Sequence, residues 1–316
     1  MLKITVIGSL NMDLVVSTPK VPVMGETVLG SGFMTIAGGK GANQAVAAAR
    51  LGGDVAMVGC VGDDLFGKDL IHNLSINGVD VAHVKILEDC STGVAMIVVK
   101  DGNNFIIVDP GANAQLEPQQ IESLEKLIAE SHMVVIQLEI PQETVMKAIL
   151  TARKYKVKVL LNPAPARELS DELLSMVDIF TPNETECEII TGMSIKRVED
   201  AKAAILYLNQ KGIPTVIVTM GGKGVVYNHG GEIIHKTVPE VKVVDTTAAG
   251  DSFTGAVAVA LTQGKTLDEA IDFANIVGTL TVTKKGAQAS LPSLQEVLSF
   301  QKYQGTLLSS EYWLGD

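Results

Sequence analysis

Along this chain, short runs that are apolar throughout alternate with stretches whose apolar residues recur at helical spacing. Ile4–Ile7, Val55–Val61, Met133–Leu138, Val157–Leu161, Ile179–Pro182 and Thr215–Thr219 read as buried strands. Between them, Ala42–Leu51, Gly67–Asn77, Glu143–Tyr155 and residues 199–211 read as helices. Strands without polar alternation belong to a parallel sheet covered on both faces. The pattern therefore predicts an α/β layered fold. Two stretches break the rhythm. Leu14–Ile36 carries Pro19, Pro22 and alternating apolar residues such as Val28, Phe33 and Ile36. Thr92–Val108 predicts a hairpin, with Gly93–Lys100 and Phe105–Val108 flanking a turn at Asp101-Gly102-Asn103. Both are expected as extra antiparallel strands that project from the main sheet. The expected division is an α/β domain from 1–13, 37–91 and 109–300, with a discontinuous β lid from 14–36 and 92–108. Residues 301–316, which hold the only tryptophan, Trp313, are expected as a helix end or tail. Such a lid covers a ligand, extends a sheet edge or meets a second copy, and the pattern does not choose among these.

Composition narrows the class. A chain of 316 residues buries a large core without disulfides or metals. With 47% hydrophobic and 19% charged residues it is a globular chain rather than a disordered one. Aromatics are only 4%, so aliphatic side chains must build the core. The net charge of -11 and the absence of a basic block argue against nucleic-acid binding. Cys60, Cys90 and Cys187 are far apart, which fits a reducing compartment and small buried hydrophobes. The N-terminal apolar run is too short for a signal peptide and ends at Asp13, and no run reaches the ~20 apolar residues of a membrane helix. A soluble, cytoplasmic protein is expected.

Five segments could carry chemistry. In Val243–Gly255 a strand is expected to end, a turn of small residues follows, and an apolar helix begins. Small turn residues let a ligand approach the backbone, and the free amides of a helix start attract anions. Asp251 is out of place beside an anion unless it accepts a proton from an attacking hydroxyl, as a kinase base does. It could equally be the helix N-cap. Ala37–Ala45 places Gly38, Gly39 and Gly41 around Lys40, with Asn43 as a further donor, or else forms a flexible turn. Asn11 and Asp13 follow the first strand, and Glu139 follows the strand ending at Leu138; these are ligand positions in open α/β sheets, and also turn or cap positions. Thr181–Glu186 gathers carboxylates that could organise magnesium through water or simply favour a helix start. Thr219–Gly224 is a glycine turn suited to a nucleotide or a hairpin. Gly264-Lys265-Thr266 lacks the first glycine of a P-loop, the histidines show no metal spacing, and a serine-hydrolase elbow is missing.

In order and spacing, these segments resemble the PfkB-type (ribokinase-like) carbohydrate kinase family over about residues 3 to 300. Gly38–Ala45, continuing to Gly59 and Gly62, is similar to one family signature, and Asp245–Asp251 to the other. Gly8–Asp13 and Pro110–Asn113 are similar to the members that act on free D-ribose, and Asn183–Glu186 to the family's NxxE element. Ser252 stands where threonine is more common. The resemblance implies a three-layer α/β sandwich with a central mostly parallel sheet and a small β-sheet lid, dimeric through the lid. It implies ATP-dependent phosphorylation of the 5-hydroxyl of D-ribose, with Asp251 as base and Ala249 and Gly250 as an anion hole. The sugar would be held by Asn11, Asp13, Gly39, Lys40, Asn43, Glu139 and Asp251. ATP would lie near Asn183, Thr219, Gly221, Gly224, Gly250 and Asn275, with Glu186 arranging Mg2+. Asp245, Thr247, Thr281, Lys284, Gly286 and Ser290 would surround a monovalent cation, K+, largely through backbone carbonyls. Deoxyribokinase, fructokinase or nucleoside kinase activity remains open, as does an idle sugar-binding protein on the same fold. The missing dinucleotide fingerprint disfavours a Rossmann dehydrogenase.

Overall fold

The computed structural model describes residues 3–101 and 103–303. Gly102 of the expected turn and residues 304–316, Trp313 among them, lie outside the described residues. In chain order the strands are β1 (Lys3–Ile7), β2 (Asn11–Ser17), β3 (Ser31–Gly38), β4 (Asp54–Gly62), β5 (Asp80–Leu87), β6 (Gly93–Lys100) and β7 (Asn103–Asp109). They continue as β8 (Met133–Ile136), β9 (Lys158–Leu161), β10 (Ile179–Phe180), β11 (Thr215–Thr219), β12 (Val225–His229) and β13 (Glu232–Lys236). A nine-stranded sheet runs β13-β12-β11-β10-β9-β8-β1-β4-β5. It is parallel from β11 to β5, and the β12–β13 hairpin adds an antiparallel edge.

The apolar strands divide their side chains between two cores, as period-2 geometry requires. Met133, Val135, Leu160 and Ile217 face helices Lys40–Arg50, Ala249–Thr262 and Leu267–Thr281. Val134, Ile136, Val159, Leu161, Val216 and Val218 face the helices between residues 118 and 210. Each fully buried aliphatic side chain contributes roughly 1.5–3 kcal/mol. Burial on both faces explains why these strands lack polar alternation, and the α/β reading of the sequence holds.

The second sheet is four-stranded, in the order β3-β2-β6-β7. Here the expectation of purely antiparallel strands needs correction. β2 pairs with β3 and β6 with β7 antiparallel, but β2 and β6 run parallel, Asn11 opposite Gly93. The two segments enter the sheet from the same end after separate excursions through the large sheet, so the pairing between them is a crossover rather than a hairpin. Asn11, Met12 and Asp13, expected on the α/β domain, sit on this small sheet. The strand expected to end at Val244 does not form. Val243 and Val244 are over half exposed, and the Val244 amide donates to the Val282 carbonyl rather than to a strand neighbour.

Candidate active site

The chain leaves β1 toward β4 on one side, and the strands from β8 onward extend on the other. β1 and β8 therefore flank a topological switch point, where open α/β sheets form a crevice at the carboxyl ends of their strands. Ser9 and Asn11 follow β1, Gln137 and Glu139 follow β8, Asn162 follows β9, Thr181 follows β10, and Thr219 ends β11. A cavity of about 190 Å³ opens there. Lys40, Asn162, Thr181, Asn183, Glu186 and Thr219 line one side, and Thr246, Ala248, Ala249, Gly250, Asp251 and Thr254 the other.

Asp251 lies in the first turn of helix Ala249–Thr262, but it is not the cap. The N-cap is Ala248, held in the left-handed region at φ 60, a conformation that disfavours side chains other than glycine. Instead, the buried carboxylate of Asp251 accepts from Asn43 Nδ2 at 2.9 Å and Gln44 Nε2 at 3.0 Å. Burial pushes its pKa upward, repulsion from Glu139 adds to this, and the Lys40 charge and the two amide donors oppose it. The Ala249 amide is taken by the Thr246 carbonyl at 3.2 Å, whereas the Gly250 amide has no intrahelical acceptor and Gly250 lines the cavity. A Cβ placed on Gly250 would meet nothing within 4 Å, so the glycine leaves space where an anion could reach the backbone.

The other polar residues gather around Lys40. Gly39 has φ +87, and a Cβ there would lie 2.6 Å from the Asn11 amide nitrogen. Only glycine lets the chain turn from β3 into helix Lys40–Arg50 against the root of β2. Asp13 rests over Gly38, where a Cβ would come within 2.5 Å of its carboxylate. Burial first, then Glu139 and Asp251, push the Asp13 carboxyl up to about 7, with Lys40 opposing. Burial works against the charge on Lys40, but Asp251, Glu139, Glu186 and Asp13 together hold its pKa above the ordinary value. Glu139 Oε2 accepts from Ser9 Oγ at 2.5 Å and from the Lys40 amide at 3.1 Å, so it also anchors the helix start.

The remaining predicted residues divide. Asn183 and Glu186 form a reciprocal capping box on helix Glu184–Thr191, so the helix-start reading is correct, and both still line the cavity. Burial raises the Glu186 pKa, partly countered by the Asn183 amide. Thr219 reaches the cavity; Gly221, Gly224 and Asn275 are not among its lining residues. Asn275 is buried with its Oδ1 unpartnered. Asp245 accepts from the Thr247 amide and hydroxyl and from the Gly286 amide, tying two loops together. Burial alone would raise its pKa, but these bonds hold it below the ordinary value. The Thr281 hydroxyl bonds Ser252 and the Val277 carbonyl, that of Ser290 bonds the Ala287 carbonyl, and Lys284 pairs with Glu296.

Sequence reasoning assigned no role to Gln44, Gln137, Asn162, Ser9 or Thr254. Gln44 stood inside a quoted signature, one position beyond Asn43, and this was its only signal. Asn113, noted as part of Pro110–Asn113, donates to the Leu10 carbonyl and Asn11 Oδ1 and accepts from the Leu10 amide.

A buried carboxylate beside an anion-receptive helix start, with a polar pocket next to it, is the site of a group-transfer enzyme that moves an anionic group onto a hydroxyl. The family model described as pfkB family carbohydrate kinase matches residues 1–294, and the chain belongs to that family. It is 44% identical over 301 residues to a ribokinase of Haemophilus influenzae, covering 95% of this chain and 98% of the relative. To a deoxyribokinase of Salmonella typhi it is 40% identical over 295 residues, covering 93% and 96%. Among solved structures, it is similar to Arabidopsis thaliana ribokinase complexed with ribose and ATP, with 34% identity, a TM-score of 0.90, and coverage of 95% of this chain and 98% of that one.

Proposed function

We propose that this chain transfers the γ-phosphoryl group of ATP to the 5-hydroxyl of D-ribose, giving ribose 5-phosphate and ADP. The observation that carries this is Asp251, a buried carboxylate lining the cavity, fixed by two amides in the first turn of helix Ala249–Thr262. The identity to ribokinases over nearly the full length supports the sugar assignment.

Asn11, Asp13, Gly39, Lys40, Asn43 and Glu139 hold the sugar beside Asp251. Asn43 Oδ1 is buried without a partner, and Glu139 has one oxygen free of the contacts described above, so acceptors remain for sugar hydroxyls. Asp251 takes the proton of the attacking hydroxyl, which general-base positioning makes worth about 10²–10⁴-fold. The Gly250 amide receives the transferred group, the Ala249 amide being held by the Thr246 carbonyl, and the helix dipole stabilises the charge. ATP extends from there toward Asn183, Thr219, the Gly221–Gly224 turn and Asn275. Magnesium bound with ATP would neutralise phosphate charge, and Glu186 is a fitting holder through water, because its carboxylate lines the cavity. The Asp245–Thr247 and 284–290 loops fit a monovalent ion such as potassium, since Asp245 is held ionised and joins the two loops through the Gly286 amide. The small sheet acts as lid and dimer contact. Its β7 edge exposes Phe105, Ile106, Ile107 and Val108, which supports contact with a second copy. Among the described residues no helix is long and apolar enough to cross a membrane.

The test is ADP release with MgATP against D-ribose, 2-deoxyribose, fructose and adenosine, each with potassium or sodium. Highest turnover with ribose, raised by potassium, is expected. Preference for 2-deoxyribose would overturn the sugar assignment in favour of the deoxyribokinase relative. Sugar binding without ADP formation would overturn the kinase reading.

A further inference from the structure

The proton acceptor is gripped by two consecutive residues of one helix. Residues adjacent on a helix point about 100° apart, so Asn43 and Gln44 both reach Asp251 only because its carboxylate is wedged against that helix. Asn43 takes Oδ2 and Gln44 takes Oδ1. Asn43 also has an acceptor free for the sugar. Gln44 does not touch the sugar pocket, and its role lies elsewhere.

Gln44 is fully buried, and both ends of its amide are bonded. Its Nε2 donates to Asp251 and, at 3.1 Å, to Asn162 Oδ1; its Oε1 accepts from Gln137 Nε2 at 2.6 Å. Asn162 in turn donates to the Thr181 carbonyl at 2.8 Å. Gln137 is itself fully buried, and its Oε1 lies so close to Gly8 that a Cβ there would come within 1.9 Å. That Oε1 has no partner. The directions interlock: an ionised Asp251 carboxylate only accepts, so Gln44 turns its amino group to it, and the Gln137 amino group meets the Gln44 oxygen and supports that orientation.

Resting on the functional reading above, we propose that Gln44 is a positioning residue for phosphoryl transfer, aiming the Asp251 carboxylate at the reacting hydroxyl, and that Gln137 sets the orientation of Gln44. The other groups facing Asp251 are Lys40 and Asn43 on the same helix, Glu139 after β8, Asp13 on β2, and Glu186 on helix Glu184–Thr191. Among them Gln44 donates to the carboxylate without belonging to the sugar or nucleotide contacts. A donor to a carboxylate favours its charged form, so Gln44 also keeps the base ready to accept a proton.

Gln44→Met keeps length and volume and removes the donor. The measurements are kcat, KM for ribose and the pH profile of kcat, for the unaltered enzyme, Gln44→Met and Gln137→Met, with thermal unfolding alongside. Misplacing a reacting group by about 1 Å can cost 10²-fold, so kcat should fall about 10- to 100-fold while KM for ribose stays within a few-fold. The acid limb of the kcat profile should move to higher pH, and alkaline conditions should restore part of the loss. Gln137→Met should shift the limb in the same direction by less. Unchanged kcat in Gln44→Met refutes the proposal, and so does a fall in kcat with an unmoved acid limb. Should Gln44→Met not fold, Gln137→Met decides: a shifted limb supports the relay, and an unmoved one refutes it. Absence of turnover with ribose in the unaltered enzyme would instead sink the functional reading.

Discussion

Replacing Asp13 with asparagine should stabilise the protein at alkaline pH while weakening its hold on sugar. Asp13 is buried at the root of β2, and burial, Glu139 and Asp251 raise its carboxyl from 3.8 to about 7 despite Lys40. At 1.36 kcal/mol per unit, a shift of about three units corresponds to a penalty on the order of 4 kcal/mol in the fully ionised folded state. The sign follows from the two protonation states. Below about pH 4 the carboxyl is protonated in both folded and unfolded chains, and the penalty is absent. As the pH rises, the unfolded chain ionises first, and stability is lost until the folded carboxyl ionises near 7. Asp13→Asn removes that loss. Some of the gain is returned, because Lys40 loses one of its compensating carboxylates. The expected increment is about 2–4 kcal/mol near pH 8 and close to zero near pH 4. Ribose affinity should fall roughly 10- to 100-fold, the worth of one charged hydrogen bond. Urea unfolding at both pH values gives the increment, and calorimetric titration gives the affinity. An equal increment at both pH values, or destabilisation at pH 8, would refute the electrostatic account of this site.

Further outcomes are specific. Asp251→Asn should lower turnover about 10²–10⁴-fold and leave sugar binding in calorimetry nearly intact; turnover close to the unaltered enzyme would remove Asp251 from its role. The same change should cost the fold little, because the asparagine oxygen can still accept from Gln44; a clear drop in melting temperature would contradict this. Gly39→Ala should cost about 2–4 kcal/mol in unfolding experiments, summing a left-handed backbone and a close contact with the Asn11 amide. Lys40→Met should raise KM for ribose and move the acid limb of kcat upward, since the cation that favours ionised Asp251 is gone; an unmoved limb would show that Lys40 acts on the sugar alone.

The six strands from β11 to β4 were legible because they are buried on both faces, whereas β5 at one edge and the β12–β13 hairpin at the other were not read. Thr215–Thr219 was bounded to the residue. The start of helix Ala249–Thr262 was hidden within the expected turn, because Gly250, Asp251, Ser252 and Thr254 have the chemistry of a turn; their burial overrides it. Val243 and Val244 read as a strand from side-chain type, yet no neighbouring strand lies there to pair with them. The parallel β2–β6 pairing could not be read, since it joins segments far apart in sequence. At the site, charged residues and glycines next to turns were visible. Gln44, Gln137 and Asn162 were not: buried amides have no periodic or spacing signature, and their meaning comes only from partners on other elements.

The small sheet and the sugar pocket are not separate structures joined by a hinge. β2 begins at Asn11, β3 ends at Gly38, and β6 begins at Gly93, so three of the four strands have an end at the pocket. Asn113 ties this root down. It donates to the Leu10 carbonyl at 3.0 Å and to Asn11 Oδ1 at 2.7 Å, and it accepts from the Leu10 amide at 2.9 Å. Because Asn11 Oδ1 is taken by Asn113, the amino group of Asn11 is the end left for a ligand, which makes it a donor to a hydroxyl oxygen. Any rotation of the small sheet about its root carries Asn11 and Asp13 with it, while Lys40, Asn43 and Asp251 stay with the helices of the α/β layers. On the functional reading proposed above, a sugar bridging the two sets would feel the angle of the small sheet in its hydrogen bonds. On that reading, closure of the small sheet and alignment of the hydroxyl with Asp251 would be one movement.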